Sequence, residues 1–231
     1  MTETDLSALK GAVIAFDLDG TLVDTAPDLI GTLNVLLAAE GLPPLPVLEA
    51  RPFIGYGARR LLERGFEAAG AHLAPERLDV LFERFIEHYN ANIAAESRPF
   101  PGVIEALDTL KGAGARLVVC TNKRTDLSTN LLDALDMSRR FEAIVGADAA
   151  PARKPDPRHL TTAIAAAGGA LPRAVMVGDA ATDAGAARAA GAGLVLVSFG
   201  YTDIPAEELG ADVLIHHFDD LAEACARLLR A

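Results

Sequence analysis

The sequence contains no tryptophan, and aromatic residues make up only 5% of its 231 positions. A core built from it must rest on alanine, leucine, valine and isoleucine. Cysteine is scarcer still: Cys120 and Cys225 are the only two, too few for a disulfide framework. No apolar run approaches the length needed to span a bilayer; residues 192–197 fall far short. Residues 1–10 are polar and acidic, without the charged-then-apolar pattern of a secretory signal. A soluble cytoplasmic protein is therefore expected. Cations are the minority, 21 basic residues against 32 acidic, for a formal charge of −11. That charge repels nucleic acid and anionic membranes at long range, so neither is an expected partner. A small anionic substrate stays possible, because a bound metal or a few clustered cations reverse the field inside one cleft.

What the chain does have is apolar bulk, 51% of residues, in a length able to bury about 70–75% of its unfolded surface. Residues 12–16 form a continuous apolar run that ends at Asp17. Such runs suit parallel strands covered on both faces. Others occupy 116–120, ending at Thr121; 174–177, ending at Gly178–Asp179; 194–197; and 213–215. Helical patterns fill 102–112, 125–135, 157–167, 181–190 and 219–229. Asp156 followed by Pro157 is a helix-start signal. Strands alternating with helices predict an α/β fold with a mainly parallel sheet.

Residues 26–96 break the rhythm. They hold no convincing buried strand, only helical patterns over 29–39, 58–69 and 78–93, punctuated by Pro43, Pro44, Pro46 and Pro52. Residues 97–102 read as a return linker. The chain is thus expected to comprise a core domain, 1–25 and 98–231, and an inserted helical cap, 26–97.

Ligands of open α/β sheets bind beyond the C-terminal strand edge, which makes Asp17, Asp19, Thr121 and Asp179 candidates for one site. Two carboxylates 4 Å apart repel by about 4 kcal/mol at an effective dielectric near 20. Asp17, Asp179 and Asp183 cannot all ionise there without compensation, and a divalent cation supplies it. Oxygen donors without a nearby histidine or cysteine set suit magnesium. The metal and Lys154 would together let an acidic site accept a phosphate.

Four motifs carry a resemblance. Phe16–Asp17–Leu18–Asp19–Gly20–Thr21–Leu22–Val23–Asp24, then Thr121–Asn122–Lys123, then Lys154–Pro155–Asp156–Pro157, then Gly178–Asp179 with Asp183 resemble, in order and in strand-end placement, the motifs of the haloacid dehalogenase superfamily. The resemblance spans nearly the whole chain and implies a Rossmann-like core with a helical cap. It implies that Asp17 attacks phosphorus and becomes an aspartyl-phosphate. Asp19 would protonate the leaving group and then activate water. Thr121 and Lys154 would hold the transferring group, with Asn122 and Lys123 beside it. Mg²⁺ would be bound by Asp17, the backbone carbonyl of Asp19 and Asp179, with Asp183 near the metal waters or Lys154. A serine commonly follows the fourth-motif aspartate; Ala180 stands here, so an orienting hydroxyl is missing and weaker metal affinity is expected.

The acid at Asp19 argues against a dehalogenase. Asp24–Thr25–Ala26–Pro27–Asp28–Leu29, Ile54–Gly55–Tyr56–Gly57–Ala58 and Thr121–Asn122–Lys123 resemble, more narrowly, the phosphoglycolate phosphatases of the superfamily. That implies a small phosphorylated metabolite as partner, 2-phosphoglycolate first, and a monomer or homodimer. Arg59 and Lys123 are then candidates for the substrate carboxylate, with Gly55 letting cap backbone approach; the residue pattern by itself favours reading Arg59 as a solvated helix arginine. A phosphosugar mutase, a phosphatase for amino-sugar phosphates or pyrophosphate, and a non-catalytic binding protein on the same fold are the alternatives. Cys120 is expected to point into the core. His72, His88, His159, His216 and His217 lack zinc-site spacing and read as surface or capping residues.

Overall fold

A computed structural model describes residues 5–230. The first strand, β1 (Val13–Phe16), leads to a short strand, β2 (Val23–Asp24), and then to α1 (Ala26–Ala39), α2 (Val47–Ala50), α3 (Ala58–Ala68) and α4 (Pro75–Ala91). The chain returns through β3 (Arg98–Pro99) and continues as α5 (Val103–Gly112), β4 (Arg116–Cys120), α6 (Thr125–Ala134), β5 (Ala143–Val145) and α7 (Pro157–Ala166). It closes with β6 (Ala174–Gly178), α8 (Ala181–Ala190), β7 (Gly193–Val197), β8 (Val213–Ile215) and α9 (Leu221–Leu228).

Six strands form one parallel sheet in the order β5-β4-β1-β6-β7-β8, with β1 at the centre between β4 and β6. Its strands are apolar throughout because alternate residues enter two different cores. Ile14 and Phe16 pack with Leu117, Val119, Leu107 and Leu221 on one face. Val13 and Ala15 pack with Val118, Cys120, Leu160 and Ala187 on the other. Cys120 is buried as expected, and burial pushes its thiol up to about 12. The Asp156–Pro157 signal starts α7, and the Asp156 carboxylate accepts from Arg158 N–H at 2.9 Å.

Helices α1, α3 and α4 surround a third apolar cluster, including Leu33, Leu61, Phe66, Leu81 and Phe85. Their two connections to the sheet are tied together. β2 and β3 pair antiparallel. Asp28, in the first turn of α1, accepts from Glu96 N–H (3.0 Å), Ser97 N–H (2.8 Å) and Ser97 Oγ (2.6 Å). An acid there also complements the helix dipole.

The short parallel strand β5 does not figure among the strands expected from the sequence. His159 is likewise a correction: it is fully buried, with Nε2 3.2 Å from the Val145 carbonyl oxygen. Its position on the sheet-facing side of α7 places it under β5, away from any surface.

Candidate active site

The C-terminal ends of β1, β4 and β6 converge. The β1–β6 ladder runs one bond further, Asp17 N–H donating to Val177 O at 2.9 Å, and Thr121 N–H donates to Val145 O at 3.1 Å. Beyond β1 the chain turns at Gly20, with φ of +85°. A β-carbon there would lie 2.6 Å from Asp179 Oδ2 and 2.8 Å from the Tyr201 ring. Only glycine lets the loop bearing Asp17 and Asp19 press against Asp179.

Asp17, Asp179 and Asp183 form one buried cluster, each offering an oxygen within 4.8 Å of the others. One cation serves it: Lys154 Nζ is 2.9 Å from Asp17 Oδ1 and 2.7 Å from Asp183 Oδ1. Asp183 Oδ2 accepts from Asp179 N–H and Ala180 N–H, both at 3.1 Å. Asp179 is held by Thr21 Oγ1 (2.9 Å) and by Tyr201 N–H (2.7 Å). Those two donors orient Asp179.

Three acids against one ammonium leave the cluster negative. Burial, with the neighbouring Asp183 adding to it against the pull of Lys154, raises Asp17 to about 6. Burial, then Asp183 and Asp17, raise Asp179 well above the ordinary range. Burial opposes the charge on Lys154, but Asp17 and Asp183 prevail and raise it. Asp17 Oδ1 is buried with no hydrogen-bond partner beyond its ion pair with Lys154. An unsatisfied buried carboxylate oxygen beside two further carboxylates fits a hard divalent cation such as Mg²⁺.

Asp19 lies outside this cluster. Lys123 Nζ donates to both its oxygens, at 3.0 and 3.1 Å, and Thr25 Oγ1 donates at 2.8 Å. Lys123 sits 4.5 Å above the Tyr89 ring. Burial works against its charge, yet Asp19 raises its pKa.

A cavity of about 100 Å³ lies between the sheet edge and the inserted helices. Asp17, Asp19, Thr121, Asn122 and Lys123 face it from the sheet side, and Gly55, Arg59, Phe85 and Tyr89 from the helical side. Arg59 pairs with Asp79 and stacks on Phe82. Asn122 exchanges hydrogen bonds with the backbone of Lys154, Nδ2 to Lys154 O (3.1 Å) and Lys154 N–H to Oδ1 (3.0 Å), joining the two loops. Thr121 Oγ1 accepts from Lys123 N–H at 3.2 Å. Lys154 lies beneath the floor, against Asp17.

A family model for haloacid dehalogenase-like hydrolases matches residues 14–197, which include all four motifs. This chain belongs to that family. The haloacid dehalogenase-like hydrolase is 62% identical to a phosphoglycolate phosphatase of Caulobacter vibrioides, over 97% of this chain and 94% of the relative. It is 48% identical to a phosphoglycolate phosphatase of Mesorhizobium japonicum, over 95% and 97%. Among solved structures, a predicted phosphoglycolate phosphatase from Haemophilus somnus 129PT superposes with a TM-score of 0.86 at 31% identity, covering 92% of this chain and 96% of that one.

Several residues of the hydrolase's site carry no signal in the sequence. Tyr201 follows a fourth strand end, that of β7; besides its N–H bond to Asp179, its ring packs on Gly20 and its hydroxyl donates to Asp24 and accepts from Ala26 N–H. Thr21 stands within the first motif, but its partner Asp179 is 158 positions away. Arg153 also faces the cavity; adjacency to Lys154 was its only clue. No helix among the described residues is long and apolar enough to cross a membrane.

Proposed function

We propose that this hydrolase cleaves a small phosphomonoester, 2-phosphoglycolate being the best-supported candidate, through a covalent intermediate on Asp17. The observation that carries the reading is the pair Asp17 and Asp19 facing one cavity, Asp17 beside a lysine it shares with Asp183 and Asp19 paired with Lys123. The cavity volume of about 100 Å³ is well below the ~300–1,000 Å³ of sites for drug-sized ligands. A two-carbon phosphate suits it, and the relatives bearing that substrate's name supply the specific choice.

In this mechanism an Asp17 carboxylate oxygen attacks phosphorus as the ester P–O bond breaks. The departing alkoxide takes its proton from Asp19, which has to enter this step as the neutral carboxylic acid. Asp19 then removes a proton from water, which attacks phosphorus; the Asp17–phosphorus bond breaks and inorganic phosphate leaves. Lys123 and Thr25 hold the Asp19 carboxyl for both transfers. Thr121 offers its hydroxyl to the phosphoryl oxygens, while Asn122 fixes the loop that carries Lys154. Asp17, the backbone carbonyl of Asp19 and Asp179 would hold Mg²⁺, which supplies charge neutralisation and Lewis acidity at the phosphoryl oxygens when bound. Asp183 secures Lys154. Residues 26–97 act as a cap, with Gly55, Arg59 and Lys123 facing the substrate's non-phosphate end and water excluded when the cap is closed. A cytoplasmic enzyme acting as a monomer or homodimer fits this reading.

Phosphate release over a panel of phosphorylated metabolites with magnesium, using Asp17→Asn as blank, tests it. Phosphoglycolate should rank first without any added bisphosphate, and chelator should abolish turnover. Equal turnover by Asp17→Asn, or full activity in chelator, would refute the mechanism.

A further inference from the structure

The cations on the cavity wall are not equivalent. Lys123 is neutralised by Asp19 at 3.0 Å, Arg124 by Asp126 at 2.8 Å and Arg59 by Asp79. Arg153 lines the same cavity. Among the described residues its guanidinium has neither a carboxylate partner nor a hydrogen bond. It reaches from the sheet-side loop towards the inserted helices: a β-carbon on Gly57 would lie 3.7 Å from Arg153 Nη1 and 3.7 Å from the Asn122 carbonyl oxygen. Gly57 holds a φ of +89° there, so this stretch of cap backbone meets Arg153 with no side chain between them.

We infer that Arg153 is the specificity-determining residue that receives the substrate's second anionic group, selecting phosphomonoesters with a carboxylate beside the ester carbon. This rests on the phosphatase reading above. A phosphoryl group at Asp17 occupies Thr121 and the floor over Lys154. A carboxylate one methylene from the ester oxygen then needs a cation on the wall. Lys123 and Arg59 would have to surrender an existing ion pair to provide it; Arg153 gives up none. Its planar fork of donors matches a carboxylate with two parallel hydrogen bonds.

The test compares kcat/KM for 2-phosphoglycolate and for ethyl phosphate, which carries a methyl where the former carries its carboxylate. The wild type should prefer phosphoglycolate. Arg153→Gln should cut that preference about ten- to a hundredfold, the loss of one charge-assisted hydrogen bond, chiefly through KM. Arg153→Lys should retain part of it. Arg153 is exposed, so the melting temperature should stay at the wild-type value and report intact folding. A wild type without preference overturns the substrate choice and this inference together. A preference kept in Arg153→Gln, or lost in Arg59→Gln instead, overturns the inference alone and leaves the substrate choice standing.

Discussion

Replacing Asp17 by asparagine should abolish turnover and yet stabilise the metal-free protein. Asp17 is nearly buried, at 8% exposure, in a cluster where Lys154 is the only cation among the described residues against three acids. Its pKa in the fold is about 6, against an ordinary 3.8. A raised acid pKa means that the folded chain holds the proton more tightly than the unfolded one. The Asp17 contribution to stability therefore falls as pH rises from about 4 to about 6, and the whole penalty persists above that. At about 1.4 kcal/mol per pH unit the penalty is about 3 kcal/mol. Asparagine mimics the protonated acid and removes it. In chelator at pH 8 the variant should melt roughly 6–12 °C above the wild type, given ~2–4 °C per kcal/mol for a chain of this size. At pH 4 the two should melt together. Adding magnesium should raise the wild-type melting temperature by more than that of the variant, because a ligand that binds only the folded state stabilises it by mass action. Scanning fluorimetry across pH, with chelator and with metal, reads all three. A variant less stable than wild type at pH 8 without metal would show that the Asp17–Lys154 attraction outweighs burial, and the electrostatic account of the cluster would fail.

Asp19→Asn should lower kcat about 10²–10⁴-fold, the usual contribution of a positioned acid–base group, with burst kinetics on an activated aryl phosphate separating loss of the proton donor from loss of the nucleophile; a loss confined to KM would count against the role. Gly20→Ala drives a methyl to within 2.6 Å of Asp179 Oδ2 and 2.8 Å of the Tyr201 ring. It should weaken the magnesium-dependent rise in melting temperature, and an unaltered response would mean that the loop shifts freely. Burial, with Lys154 adding to it, holds His159 near a pKa of about 4 instead of 6.5. The unfolded chain then takes up a proton that the fold refuses, so the His159 contribution to stability falls as pH drops from 6.5 to about 4, by at most about 3 kcal/mol, opposite in sign to that of Asp17. Denaturant titrations should show His159→Gln gaining stability relative to the wild type as pH drops over that range; a difference independent of pH would refute it.

What was readable in the sequence depended on whether the signal was local. β1, β4, β6 and β7 stand out because burial on both faces demands unbroken apolar runs. β5 offers only Ala143–Ile144–Val145 between Glu142 and Gly146, a run as short as that of β8, and at that length periodicity does not separate strand from loop. The β2–β3 pair joins residues on either side of the whole insertion, and neither half carries a pattern of its own. His159 misleads because a polar residue beside the exposed Arg158 suggests surface, while the helical period turns it inward against Val145. The candidate site divides the same way. Asp17, Asp19, Thr121, Lys154 and Asp179 are marked by strand ends and motifs. The pairing of Lys123 with Asp19, the bond of Tyr201 N–H to Asp179 and the open position of Arg153 arise from long-range approach and leave no local trace.

Those long-range contacts give two aspartates, two positions apart on a single loop, different chemistry. Asp17 shares one ammonium with Asp183 and lies beside Asp179. Its surroundings carry excess negative charge, which favours recruiting a metal ion and keeps the carboxylate short of hydrogen bonds, as a nucleophile requires. Asp19 has Lys123 matched to it one-to-one, with Thr25 as a further donor. That neutral pair offers no reason for a cation to settle on its carboxylate, and it fixes the carboxyl at the cavity wall, where the proposed proton transfers need it. Moving the positive charges would therefore reassign the roles even with both aspartates in place. For that reason Lys123 and Lys154, more than the acids themselves, set the division of labour proposed for this hydrolase.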